Sequence, residues 1–184
     1  MRKILVGASA AAVLALAGCS SQDSGHSAMT TTTTPSVQSG YNTEDVTFAQ
    51  QMIPHHQQAV DMAKLVPSRG TDPKVRELAT RVQQAQDPEI QQLTDMLKKW
   101  NAAPQGMDHG SAGHGGMDTT HLEAAKGTEF DRMWLQMMIE HHQGAVQMSQ
   151  TELSKGSSPE AKALAQKIID AQQAEITEMQ AMLK

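Results

Sequence analysis

The sequence is poor in aromatic residues, in cysteine and in positive charge. Aromatics make up 3% of its 184 residues, which argues against a base-stacking nucleic-acid module and against an aromatic-rich β-sandwich. The one cysteine, Cys19, excludes an internal disulfide framework and a Cys-rich zinc site. Twenty acidic residues outnumber 15 Lys and Arg, for a net charge of −5, so there is no electrostatic basis for binding DNA or RNA. No window alternates with period two, and no sheet is expected. Glu-x-x-His, the pair that di-iron bundles place on facing helices, does not occur. No nucleophile-elbow motif occurs either. What the chain does have is 13 Met and eight His, in a length suited to one ordinary domain.

Arg2 and Lys3 precede an apolar run from Ile4 to Ala17, the length of a signal core and too short to span a bilayer. The run ends in Leu16-Ala17-Gly18-Cys19, which resembles the lipobox of bacterial lipoproteins. Residues 1–18 are therefore expected to be a lipoprotein signal peptide, and Cys19 the lipidated residue. Stable anchoring would need more than one acyl chain. Loss of Arg2 and Lys3 leaves 13 basic against 20 acidic residues, a net −7. Residues 19–42, rich in Ser and Thr, read as a disordered tether holding an extracytoplasmic domain off the membrane.

The remainder, 43–184, is written twice. Displaced by 86 residues, 45–98 lies on 131–184 without a gap, and 22 of 54 positions are identical. Met-Ile-Pro-His-His-Gln-Gln-Ala-Val-Asp-Met (52–62) pairs with Met-Ile-Glu-His-His-Gln-Gly-Ala-Val-Gln-Met (138–148). Each unit reads as two helices, Thr43 to Leu65 and Pro73 to Lys99 in the first. Asp72-Pro73 and Ser158-Pro159 place a cap residue before Pro at the first helical position. Two copies suit an all-α, antiparallel four-helix bundle made of two helical hairpins, with 101–120 joining them. Pro54 and Pro88 fall inside helices and are expected to kink or interrupt them.

On a helical wheel Asp45, Phe48, Met52, His55, His56, Ala59 and Met62 share an arc of about 120°. Asp131, Trp134, Met138, His141, His142, Ala145 and Met148 do the same. The aromatic residue in each set suggests that the arc faces the core. Methionine stripes and buried histidines often serve packing alone, but His-His pairs flanked by Met in both copies favour a metal role. Imidazole suits Cu, Zn and Ni, and thioether selects soft Cu(I), so copper fits best, with silver as its soft analogue. The imidazoles must be neutral to coordinate, and binding should weaken in acid. Glu89 and Glu175, beside Gln86 and Gln172, lie on the inward stripes of the partner helices. They either orient the histidines or pair with Lys and Arg near the bundle ends. In the connector, Met107, His109, His114, Met117 and His121 stand among glycines and form an auxiliary soft-metal loop, weaker than a preorganised site.

The doubled Met-Ile-x-His-His-Gln-x-Ala-Val-x-Met motif, with Asp and an aromatic residue upstream and Gln-x-x-Glu-Ile in the partner helix, resembles the bacterial family called domain of unknown function 305. The resemblance covers about 43–184. It implies a ferritin-like fold, export and, for some members, copper handling. Carried onto the motif, the metal candidates are Met52, His55, His56, Met62, Met138, His141, His142 and Met148. Gln58 stands where the second copy has Gly144. The expectation is a membrane-anchored, extracytoplasmic copper-binding lipoprotein that sequesters or transfers Cu(I) or Cu(II), is not an enzyme, and binds no nucleic acid. The alternatives are an envelope interaction lipoprotein without metal and, with less support, a ferritin-like redox enzyme.

Overall fold

A computed structural model of the chain describes residues 40–103 and 119–184. Cys19, the signal segment, almost all of the tether and the connector residues Met107, His109, His114 and Met117 lie outside them. The described residues form α1 (Thr43–Arg69), α2 (Pro73–Lys99), the short α3 (Thr120–Ala124), α4 (Gly127–Lys155) and α5 (Pro159–Met182). None of these helices is long and apolar enough to cross a membrane.

Local chemistry accounts for where the helices start. Asn42 caps α1 by accepting from the amides of Glu44 and Asp45, while its own amide donates to the Asp45 carboxylate, a capping box. Asp72 and Ser158 cap α2 and α5 ahead of Pro73 and Pro159, as the sequence leads one to expect. Gly127, at φ 65°, opens α4 in the left-handed region that favours glycine.

Two expectations need correction. The first helix runs on through Pro67 to Arg69 rather than ending at Leu65. Nor do Pro54 and Pro88 interrupt their helices, which are continuous through both. Each proline is exposed, so the carbonyl that loses its amide partner is on the solvent side and water can satisfy it.

The hairpins α1–α2 and α4–α5 join through α1 and α4, which run antiparallel. Asn42 at the start of α1 bonds the Lys155 carbonyl at the end of α4 (2.9 Å), and Trp134 Nε1 donates to the Met62 carbonyl near the other end (3.1 Å). The helices α2 and α5 contact each other far less than the partners within each hairpin do, or than α1 and α4 do. Ion pairs bridge their seam: Lys99–Glu160 at 2.9 Å, Lys167–Glu89 at 3.3 Å, and Arg81–Glu178.

The apolar core is split in two. One cluster holds Met62, Val66, Leu78, Val82, Phe130, Trp134 and Met138; the other holds Phe48, Met52, Leu93, Leu97, Ala145, Leu164 and Ile168. Each cluster takes one end of all four long helices. Burying a large apolar side chain contributes about 1.5–3 kcal/mol, so both ends are strongly held. Between them lies a polar layer.

Each hairpin turn is clamped by an aspartate from the other hairpin. Asp131 accepts from the amides of Thr71 and Asp72 and from the Thr71 hydroxyl, at 2.9–3.2 Å. Asp45 accepts from the amides of Ser157 and Ser158, at 2.8–3.1 Å. The turn glycines make room for this. A Cβ on Gly70 would stand 2.5 Å from Asp131 Oδ1, so space, not backbone conformation, requires glycine there.

Candidate metal centre

The four motif histidines occupy the polar layer where α1 crosses α4. His56 and His142 are fully buried, His141 is buried and His55 is half-buried. His55 and His141 face each other across the crossing, with ring centroids 3.7 Å apart and planes inclined at 33°. Within each pair the centroids are 6.5 Å (His55–His56) and 6.3 Å (His141–His142) apart. Gly144 lets this happen: a Cβ there would lie 3.1 Å from His55 Nε2.

The partner helices supply the carboxylates. His56 Nε2 is 2.9 Å from Glu89 Oε2, and His142 Nε2 is 2.8 Å from Glu175 Oε2. This is the orienting arrangement that fixes a histidine tautomer and leaves the other nitrogen available. Glu89 also pairs with a cation, its second oxygen meeting Lys167, though in the middle of the bundle rather than near its ends. Gln86 and Gln172 are buried beside them, but neither hydrogen-bonds a histidine: both amide atoms of Gln86 and the Gln172 oxygen have no partner.

Several ring nitrogens are also without partners: Nδ1 of His55, His56 and His142, and both nitrogens of His141. A buried polar atom left unpaired costs about 1–3 kcal/mol, and five in one layer is a concentration that packing alone does not explain. Burial first, then the neighbouring histidines, pushes His55 down to about pKa 3 and His141 down to about 2. Both rings stay neutral lone-pair donors at physiological pH. Protons compete for them only far below the ordinary histidine range, so acid should weaken metal binding there less than the sequence alone suggests. For Glu89, burial alone would raise the carboxyl; His56 and Lys167 outweigh it and hold it below its ordinary value.

The thioethers divide two and two. Met52 and the half-buried Met148 belong to one apolar cluster, Met62 and Met138 to the other. Each pair joins one methionine from α1 with one from α4. Among the described residues, no three His, Cys, Asp or Glu groups form a metal cage. A hard or borderline ion that needs three or four such ligands is therefore poorly served, whereas a soft ion taking nitrogen and thioether sulfur suits the donors present. His121 is exposed on α3, apart from the buried layer.

The sequence reading missed Lys167 and the clamping role of Asp45 and Asp131. Lys167 matches Arg81 across the repeat, so the recurrence of a cation was visible, though its partner was not. A family model for the domain of unknown function DUF305 matches residues 45–183. The chain belongs to the DUF305 family. A crystal structure of a DUF305 protein from Streptomyces coelicolor is 29% identical, with a TM-score of 0.69 over 76% of this chain and 91% of that one. CopM in its Cu(II)-bound form is 33% identical, with a TM-score of 0.69 over 76% of this DUF305 chain and 95% of CopM; CopM structures also exist in Cu(I)-bound and Ag-bound forms. Uncharacterized protein L153 of Acanthamoeba polyphaga mimivirus is 35% identical over 54 residues, 29% of this chain and 36% of that protein, so the match covers about a third of that relative's length.

Proposed function

We propose that this DUF305 protein is an extracytoplasmic, lipid-anchored carrier that sequesters copper or passes it on, and that it binds its cargo rather than turning over a substrate. One observation carries the reading: a buried layer of four imidazoles, five of whose nitrogens are unpartnered, lies between two pairs of thioethers at the crossing of α1 and α4. Such a layer offers nitrogen donors in the middle and sulfur donors on either side, the set that suits Cu(I) or Ag(I). Glu89 and Glu175 hold two of the rings from behind, which fixes their orientation and raises ligand basicity. The relationship to CopM, whose structures hold copper and silver, supports the same cargo. The lipobox-like Leu16-Ala17-Gly18-Cys19 supports anchoring outside the cytoplasm, and mass spectrometry of Cys19 in membrane fractions tests it.

The decisive test is Cu(I) and Cu(II) titration of the detergent-purified full-length protein beside two variants. One replaces His55, His56, His141 and His142; the other replaces Met107, His109, His114, Met117 and His121 with Ala. Tight binding lost only in the first variant is the expected result. Loss only in the second would make the bundle a scaffold and the connector the trap. Absence of specific binding in the parent would leave a metal-free envelope protein.

A further inference from the structure

We infer that Lys167 makes the two His–Glu pairs unequal, so that a soft cation fills the His142–Glu175 half before the His56–Glu89 half. This rests on the metal-binding reading above and concerns the order of loading within it.

The two pairs match closely at the histidine, 2.9 and 2.8 Å from their carboxylates. They differ behind it. Glu89 divides its charge between two partners, His56 at Oε2 and Lys167 Nζ at 3.3 Å from Oε1. Glu175 has no such ammonium on it. The repeat explains why. Arg81 is the counterpart of Lys167, but its guanidinium is drawn to Glu178, and to Glu77 at 3.3 Å. The counterpart of Glu178 is Gln92, which carries no charge. On one side of the α2–α5 seam an acidic residue diverts the cation from the histidine's carboxylate. On the other side nothing diverts it.

The consequence is electrostatic. A carboxylate behind a metal-ligating imidazole stabilises the positive charge that the metal brings. Lys167 neutralises part of that charge at Glu89 and adds a cation whose field opposes the incoming ion. Glu175 bonds no cation and meets Arg81 only as a charge beyond ion-pair distance, and its side chain is 17% exposed against 5% for Glu89, so it also lies nearer to an ion arriving from water. Lys167 is 65% exposed, and solvent screens its effect. The expected difference is therefore about 2- to 5-fold in affinity, not orders of magnitude. Lys167 is a positioning residue, acting on the metal through Glu89.

The test is a titration of the full-length protein in detergent with silver nitrate, following the ¹³C-labelled ring signals of His56 and His142. The His142 signal should reach half-saturation at about 2- to 5-fold lower free Ag(I) than the His56 signal. Lys167→Gln should close that gap by tightening the His56 half, and Lys167→Arg should preserve it. Glu178→Gln, which releases Arg81 towards Glu175, should narrow the gap from the other side by weakening the His142 half. Sodium nitrate at about 1 M should shrink it, which a purely structural role for Lys167 would not predict. Equal filling, reversed order or an unchanged gap in Lys167→Gln would overturn the inference while leaving metal binding intact. Silence of both ring signals would remove the metal reading and this inference with it.

Discussion

The turn closing α1–α2 and the turn closing α4–α5 are clamped alike and lined differently. In each, an aspartate from the opposite hairpin accepts the amides just before the next helix: Asp131 for Thr71 and Asp72, Asp45 for Ser157 and Ser158. Beneath the turn glycine, however, one end has Val66 and the other has Glu152, both fully buried. Burial first, then the neighbouring Asp45 carboxylate, pushes Glu152 up to about pKa 8. Burial would also raise Asp45, but the neighbouring Glu152 carboxyl and the hydrogen bonds from the amides of Asn42, Ser158 and Ser157 hold it below its ordinary value. The same clamp is thus insulated by a hydrocarbon at one end and coupled to a proton at the other.

Removing a clamp should have the largest effect. Asp45→Ala leaves the amides of Ser157 and Ser158 without an acceptor, and Asp131→Ala does the same to Thr71 and Asp72. Each should destabilise the domain by about 2–4 kcal/mol in denaturant unfolding. Because the two sites stand at opposite ends and share no partner, the double variant should lose the sum of the single effects. Marked non-additivity would mean that the two ends are not independent.

The proton-coupled end should show itself next. Glu152 has a folded-state pKa raised from 4.5 to about 8, so the native state holds a proton that the unfolded chain releases. Its contribution is fully present below about pH 4.5 and is lost as pH rises through about 8. Glu152→Gln should remove that slope, and Glu152→Val, which copies the other end, should do likewise. Thermal unfolding between pH 5 and 9 checks this: relative to either variant, the parent should lose stability as pH rises. Parallel profiles would show that the two ends do not differ in this respect.

Much of this architecture was legible in the sequence, and the limits have physical causes. The caps at Asp72 and Ser158 are local, and both hold. The spacing of His56 from Glu89 recurs in His142 and Glu175, and helical periodicity put both carboxylates on inward stripes, with contact to the histidines as one of two readings. A wheel describes one helix, however, and cannot say how two helices cross. It put two methionines on each helix's arc with the histidines; the antiparallel crossing of α1 and α4 pairs one from each helix in each of two apolar clusters. It put Asp45 and Asp131 each on its own helix's inward arc, but their partners are backbone amides more than 55 residues away in sequence. Pro54 and Pro88 do not interrupt their helices: both are exposed, so water can satisfy the freed carbonyl, and the buried faces of α1 and α2 hold the helix against the local penalty.

The smallest effect should appear at the helix crossing, where Gly144 replaces Gln58 of the first copy. Alanine at 144 brings a Cβ to 3.1 Å from His55 Nε2, close enough that the ring must shift by a few tenths of an ångström. Against this, removing glycine from a helix interior gains about 1 kcal/mol, so the net stability change of Gly144→Ala should be under about 1 kcal/mol. The ring signals of His55 and His141 should nevertheless move together, since their centroids are only 3.7 Å apart. Gln58→Ala, on the copy that already carries a side chain, should leave them in place. If Gly144→Ala moved neither ring, the close approach at the crossing would not depend on glycine, and the difference between the copies at this position would have no bearing on the site.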